Sequence, residues 1–249
     1  MINDPTPAYA YIPPTEFTVG TVLSRATDVF TRGALTFVAI SLIANAPRLV
    51  YEWALLNGTS PATPWMPLAW GLVSVVLSAL AEAMIIFAAF QTLRGRRAGI
   101  GESIGRGLRR LGAVVLASIV VSILIVLGAI LLLVPGLIVL TIFFVTIPAC
   151  VVEQLGATTA MARSSELTRN HRWRVFGAAA VVFIIFFIVD SIVSAVLRHP
   201  ATLWSYVLVA FCVNSVYSAY NAVLAAIVYH DLRVIKDGID VDQLAAVFD

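Results

Sequence analysis

Two stretches decide what this chain can fold into: residues 111–152 and residues 199–230 contain no Asp, Glu, Lys or Arg. A bilayer core takes about 20 apolar residues per helix, so each stretch is long enough to carry membrane-spanning helices. Composition points the same way. Of 249 residues, 60% are hydrophobic and 12% charged, against about 45–50% and 25% in soluble domains. A soluble globular protein is excluded. The expectation at this length is six spans with their loops, without room for a separate soluble catalytic domain of roughly 100 residues.

The breaks between apolar runs place the spans at about 33–56, 65–93, 111–134, 136–152, 175–197 and 202–229. Asn57-Gly58 ends the first, and Pro135-Gly136 hinges the long uncharged run, because proline removes a helix donor and glycine allows the turn. Residues 1–15 are expected as a flexible cytoplasmic N-terminal tail: they carry Asp4 and four prolines, with no basic segment ahead of an apolar one. Residues 16–235 form the membrane domain and 236–249 an acidic cytoplasmic C-terminal tail. Cys150 and Cys212 both fall in apolar runs, which suits packing rather than a disulfide or a redox motif.

The formal net charge is only +2, but its distribution is one-sided. Arg25 and Arg32 precede the first span. Arg94, Arg96, Arg97, Arg106, Arg109 and Arg110 lie between the second and third, Arg163, Arg169, Arg172 and Arg174 between the fourth and fifth, and Arg233 and Lys236 follow the sixth. Only Arg48 and Arg198 fall elsewhere. The positive-inside rule then orients both termini to the cytoplasm, in a multi-pass protein of the inner membrane.

Three polar segments share a pattern, with an arginine between two small residues: Thr21–Phe30 around Arg25, Glu102–Leu111 around Arg106, and Thr159–Thr168 around Arg163. Each precedes a pair of spans. The expected fold class is therefore all-α, a polytopic membrane protein of six transmembrane helices in three hairpins, each preceded by a cytoplasmic interfacial amphipathic helix. Such helices place Arg25, Arg106, Arg109, Arg110, Arg163 and Arg169 against acidic lipid headgroups, since guanidinium pairs well with phosphate. The positive-inside rule alone is the plainer explanation of the same arginines.

Ionisable groups inside spans are costly and are functional candidates by default. There are four: Arg48 and Glu52 in the first span, Glu82 in the second, and Asp190 in the fifth. Arg48 and Glu52 stand four residues apart, which allows a local pair, and Arg48 and Asp190 lie at similar depth, which allows a bridge. Asn214, Tyr217 and Asn221 of the sixth span offer hydrogen bonds near Glu82. Read functionally, these groups line a polar cavity or ion path; read structurally, they pair between helices and fix the bundle. His171, His199 and His230 show no metal-ligand spacing, and neither a nucleophile elbow nor a phosphate loop is present. Trp65, Trp70, Trp173 and Trp204 flank spans as an aromatic belt does. No cofactor, metal or nucleic acid is expected. Membrane lipids are the expected partners, and Ala178, Ala179 and Ala180 permit the close helix packing that self-association needs.

Two segments carry a family resemblance. Leu133–Val139, Pro148–Glu153, Ala160–Asn170 and Trp173–Phe176 form the first, and Tyr229–Asp240 the second. Together they resemble the membrane domain of the glycerophosphoryl diester phosphodiesterase family and related six-span proteins of unknown function. The resemblance implies a six-span architecture and a lipid-linked context. It implies no activity here, because the barrel that cleaves glycerophosphodiesters in some relatives has no counterpart in this sequence.

Where these two segments touch, a charged collar is expected under the bundle. Glu153 closes the fourth span, Thr158 or Thr159 caps a polar helix over Ala160–Asn170, Glu166 pairs with Arg163 or Arg169, and Asp231 with Arg233 meets that helix from the sixth span. The leading functional expectation is a non-enzymatic, lipid-associated scaffold or accessory protein. The alternative is a transporter or flippase-like carrier using Arg48, Glu82, Asp190 and Asn221, and an intramembrane lipid enzyme ranks third. The orientation predicts that a topology reporter inserted at Asn57 or His199 reads non-cytoplasmic, and one after Lys236 cytoplasmic. The reverse pattern contradicts it.

Overall fold

The computed structural model describes residues 17–58, 63, 65–94, 111–197 and 203–238. Every regular element among them is a helix: α1 (Val19–Leu56), α2 (Met66–Leu93), α3 (Leu111–Leu131), α4 (Leu133–Ile142), α5 (Thr146–Val152), α6 (Ala157–Thr168), α7 (Arg172–Leu197) and α8 (Leu203–Asp237). Six stretches are long and apolar enough to cross a membrane: α1, α2, α3, α4 together with α5, α7 and α8. Helices are what an apolar solvent demands, since each satisfies its own backbone. The chain is a multi-pass integral membrane protein. The N-terminal tail, the C-terminal tail from residue 239, the Glu102–Leu111 segment up to residue 110, and Arg106, Arg109, Arg110 and Arg198 lie outside the described residues.

The first polar segment is not a separate interfacial helix. Thr21–Phe30 is the opening of α1, which runs unbroken for 38 residues from a capping box in which Thr18 and Thr21 bond each other's backbone. Gly33, expected as the start of a span, instead makes room for Phe37: a Cβ there would stand 2.5 Å from the Phe37 ring. Val22, Ala26 and Val29 are buried, and α1 packs on α8, α2 and α7. That face meets protein rather than acyl chains. Further along, Pro47 lies inside α1 and cannot donate to the Ile43 carbonyl.

The hinge of the long uncharged run is displaced from its expected position. The chain reverses at Leu132, which is extended (φ −165°, ψ 146°). Pro135 sits in the first turn of α4, where its missing N–H costs no helix bond. Gly136 serves the packing instead. A Cβ on it would fall 2.9 Å from the Ala129 nitrogen, and one on Gly128 would fall 3.0 Å from the Gly136 Cα. Two glycines thus bring the backbones of α3 and α4 into contact.

A second break, absent from the sequence expectation, divides the fourth span at Phe143–Val145. Pro148 lies in the first turn of α5 and supplies no donor to the Phe144 carbonyl. The freed Ile142 carbonyl accepts from Ser164 Oγ at 2.8 Å and from Thr168 Oγ1 at 3.3 Å. Both donors belong to α6. This helix corresponds to the third polar segment, but its buried face of Ala157, Ala160, Ser164, Leu167 and Thr168 rests on the bundle. Its N-cap is Gly156, not a threonine; Thr159 Oγ1 instead donates back to the Gly156 carbonyl at 2.9 Å. Gln154, at φ 54°, turns the chain between α5 and α6. At the far end of the chain, α8 continues past Tyr229 to Asp237, so Lys236 and Asp237 are helical.

Packing is uneven along the bundle. Near the end that carries Phe17 and Asp237, α8 is buried continuously from Ala222 to Leu232 and α2 from Ala83 to Gln91. Toward the opposite end, Asp190 and Asn214 are exposed. The two-glycine contact predicts that Gly136→Ala destabilises the detergent-solubilised protein by about 1–3 kcal/mol through overpacking. Gly112→Ala, whose Cβ meets nothing within 4 Å, leaves the melting temperature unchanged or raised. Equal melting temperatures for the two variants contradict this packing.

Candidate functional site

Helices α1, α2 and α8 part where polar residues replace small apolar ones. Asn45, Pro47 and Arg48 of α1, Ser74, Ser78 and Glu82 of α2, and Asn214, Tyr217, Ser218 and Asn221 of α8 line a cavity of about 340 Å³. Arg48, Asn45 and Asn214 also line a neighbouring cavity of about 420 Å³, together with Glu52, Asp190 and Tyr206. Asp190, Asn214 and Tyr217 border a smaller space of about 160 Å³ against Phe183 and Phe187. On the other side of Glu82, Tyr217 and Asn221 lies a cavity of about 590 Å³ between α3, α4 and α7. Its walls are mostly apolar, with Val121, Leu140, Phe144, Phe176 and Phe183, and they include Ser118, Ser122 and Thr146.

All six intramembrane candidates therefore face one chain of adjoining cavities. The pairings among them differ from the expected ones. Arg48 Nε donates to Glu52 Oε1 at 2.9 Å within α1. No bridge joins Arg48 to Asp190, because the guanidinium is taken up by its own helix four residues on. Glu82 and Asp190 have no hydrogen bond or ion pair among the described residues, although Asn214, Tyr217 and Asn221 border the same spaces. Interhelical pairing is not what these two carboxyl groups do.

Sequence reasoning missed the α3 serines and Thr146. Ser118 Oγ and Thr146 Oγ1 lack hydrogen-bond partners, and Thr146 is 1% exposed. The available signal was the four-residue spacing of Ser118 and Ser122, which places both on one face of an otherwise apolar helix.

The charged end is built differently. Arg163 of α6 bonds Glu153 through Nε at 3.0 Å, Glu166 through Nη1 at 3.2 Å, and Asp237 through Nη2. Burial opposes the guanidinium charge, but the hydrogen bond and charge of Glu153, with the charge of Asp237 and the hydrogen bond to Glu166, outweigh it and raise the Arg163 pKa. Tyr229 OH donates to Glu153 Oε1 at 2.8 Å and accepts from Arg233 Nη1 at 3.1 Å. Lys236 Nζ donates to the Glu166 carbonyl. Helices α6 and α8 thus meet through charge. Arg169 is exposed and makes no ion pair among the described residues.

Asp231 departs from the expected collar. Its Oδ1 accepts from Arg25 Nη1 of α1 at 3.0 Å and lies 3.2 Å from His230 Nδ1, with the side chain 1% exposed. Two residues along a helix of 3.6 per turn rotate the direction by about 200°, so Asp231 and Arg233 face opposite neighbours. Arg25 and Arg163, expected at lipid headgroups, are held by protein carboxylates. Among the described residues no group of three or more His, Cys, Asp or Glu is arranged to hold a metal ion.

Residues 98–232, more than half of the chain, match the family described as Domain of unknown function (DUF7847). The chain belongs to that family. The DUF7847 region contributes α3 to α7 and most of α8, hence Asp190, Asn214, Tyr217 and Asn221, whereas Arg48, Glu52 and Glu82 come from the helices before it. No curated protein and no solved structure matches the chain. The family description names no function, and nothing in these comparisons links the chain to the phosphodiesterase membrane domain.

The collar predicts that Arg163→Gln, which leaves Glu153 with Tyr229 and both Glu153 and Asp237 with only the longer Arg233 contacts, lowers stability in detergent by about 1–3 kcal/mol. Arg169→Gln, at an exposed unpaired position, changes it by less than about 0.5 kcal/mol. Matching unfolding curves for the two variants contradict the assigned network.

Proposed function

We propose that the chain is a non-enzymatic membrane carrier for an amphiphilic molecule, the flippase-like alternative raised by the sequence. One observation carries the proposal. Glu82, Tyr217 and Asn221 form a shared wall between a polar cavity of about 340 Å³ and a largely apolar one of about 590 Å³. Both volumes fall in the range of sites for small organic ligands. A polar head fits on one side of that wall and an apolar tail on the other. The open end beside Asp190 and Asn214 supplies an entrance from one membrane face, and the space between α3, α4 and α7 leads toward the tightly packed end.

A scaffold gripping acidic headgroups has weaker support. Arg25 and Arg163 are engaged by Asp231 and by Glu153, Glu166 and Asp237, which leaves them fewer donors for phosphate. In the carrier reading the six spans act as three hairpins in an inner membrane, with the arginine-rich end cytoplasmic and the collar holding that end closed.

In reconstituted vesicles, the protein is expected to speed the exchange of fluorescent single-chain amphiphiles between leaflets for at least one head group. Ala180→Trp, which drives an indole into the apolar cavity, is expected to remove the acceleration while the melting temperature holds. Identical exchange with and without protein for every head group contradicts the carrier, as does full activity in the Ala180→Trp variant.

A further inference from the structure

The charges along the cavity chain do not cancel. Arg48 is matched by Glu52 at 2.9 Å. Glu82 and Asp190 have no basic partner among the described residues, and they border the polar spaces with Asn214 and Tyr217. One positive and three negative groups leave an excess of acid in a water-poor region. An ionised carboxylate there is costly unless a cation joins it.

Independent of the acid, buried hydrogen-bonding capacity stands unused beside it. Thr146 is 1% exposed and lines the apolar cavity, yet its Oγ1 has no partner, and neither has Ser118 Oγ on the facing helix. Polar groups at that depth are nearly always bonded when a site is complete. The apolar cavity adjoins Glu82 directly, so a molecule with a cationic head at Glu82 has hydroxyl partners nearby and a hydrocarbon-lined space for its tail. A bare inorganic cation leaves that space without a purpose. A phosphate head meets two unmatched carboxylates, a like-charge contact that costs affinity.

We propose that the carried molecule is a single-chain amphiphile with a protonated amine head, bound first at Asp190 near the open end and then at Glu82. This rests on the carrier reading above and adds to it the chemistry of the head group. Asp190 and Glu82 act as two successive counter-ions, and Asn214 and Tyr217 bridge the distance between them with hydrogen bonds. The charged collar at the other end plays no part in recognition, since Arg163 and Arg233 are already engaged by Glu153, Glu166 and Asp237.

The test uses vesicles of zwitterionic lipid containing the full chain and three fluorescent single-chain probes that differ only in head group: ammonium, hydroxyl or phosphate. The ammonium probe is expected to exchange between leaflets at least about tenfold faster than the phosphate probe. The Glu82→Gln/Asp190→Asn double variant is expected to lose that preference while keeping its melting temperature. If the double variant does not fold, Asp190→Asn alone carries the test, because Asp190 is exposed and unpaired; a partial loss of preference is then expected, and none overturns the proposal. Equal or greater acceleration of the hydroxyl or phosphate probe overturns the amine head and leaves the carrier standing. No acceleration of any probe overturns both. A proton or sodium flux without amphiphile, lost in Glu82→Gln while the ammonium probe is not accelerated, assigns the carboxylates to an inorganic cation and overturns the proposal.

Discussion

Close approach of small residues at one end of the bundle is the constraint from which the remaining architecture follows. Within a membrane, helices gain little from leaving lipid for one another, so they associate where backbones can come near and dispersion contacts accumulate. Ala222, Ala225 and Ala226 of α8 and Ala83, Ala88 and Ala89 of α2 are all buried at that end. Gly128 and Gly136 likewise bring the backbones of α3 and α4 together, beside their turn at Leu132. Where the alanines give way to Asn214, Tyr217, Asn221 and Glu82, the helices no longer close. Cavities open between them, lined by those polar groups.

Charge is sorted along the same axis. At the tight end, among the described residues, acids are matched by bases: Asp231 by Arg25, Glu153, Glu166 and Asp237 by Arg163, and Glu153 by Arg233 through Tyr229. The matching ties α1 to α8 and α6 to α8, and Ser164 and Thr168 of α6 cover the carbonyl left open by the break before α5. At the open end, among the described residues, only Arg48 and Glu52 are matched, within one helix. A bundle closed by ion pairs at one end and left acidic at the other has the asymmetry that one-sided entry of a ligand requires.

Much of the fold was legible because the signal was long. Uninterrupted apolar runs define spans regardless of packing, and the ends of α2 and α7 fall within a few residues of where Trp65, Leu93 and Leu197 place them. Local punctuation was less informative. Pro135-Gly136 reads as a hinge, yet the turn is at Leu132, because proline in a first helical turn breaks nothing and Gly136 is needed for contact with Ala129. Gly33 reads as a boundary but accommodates the Phe37 ring within a continuous helix. Pro148 does mark a break, and its effect depends on α6 lying close enough to bond Ile142.

The site was legible by membership and not by pairing. Arg48, Glu52, Glu82, Asp190, Asn214 and Asn221 stand out because polar groups in spans are rare, and all six border the cavities. Which of them bond to which depends on helix rotation and tilt, which spacing along the sequence does not encode. The same holds for Asp231, whose partner lies 206 residues away on α1. The central claim is a continuous polar-to-apolar space divided at Glu82, Tyr217 and Asn221, and a high-resolution density map of the protein in lipid nanodiscs tests it most directly. The account predicts one elongated density running from the Glu82–Asn221 wall into the cavity between α3, α4 and α7. Side chains filling that space, with Glu82 bonded to a neighbouring helix, would contradict it.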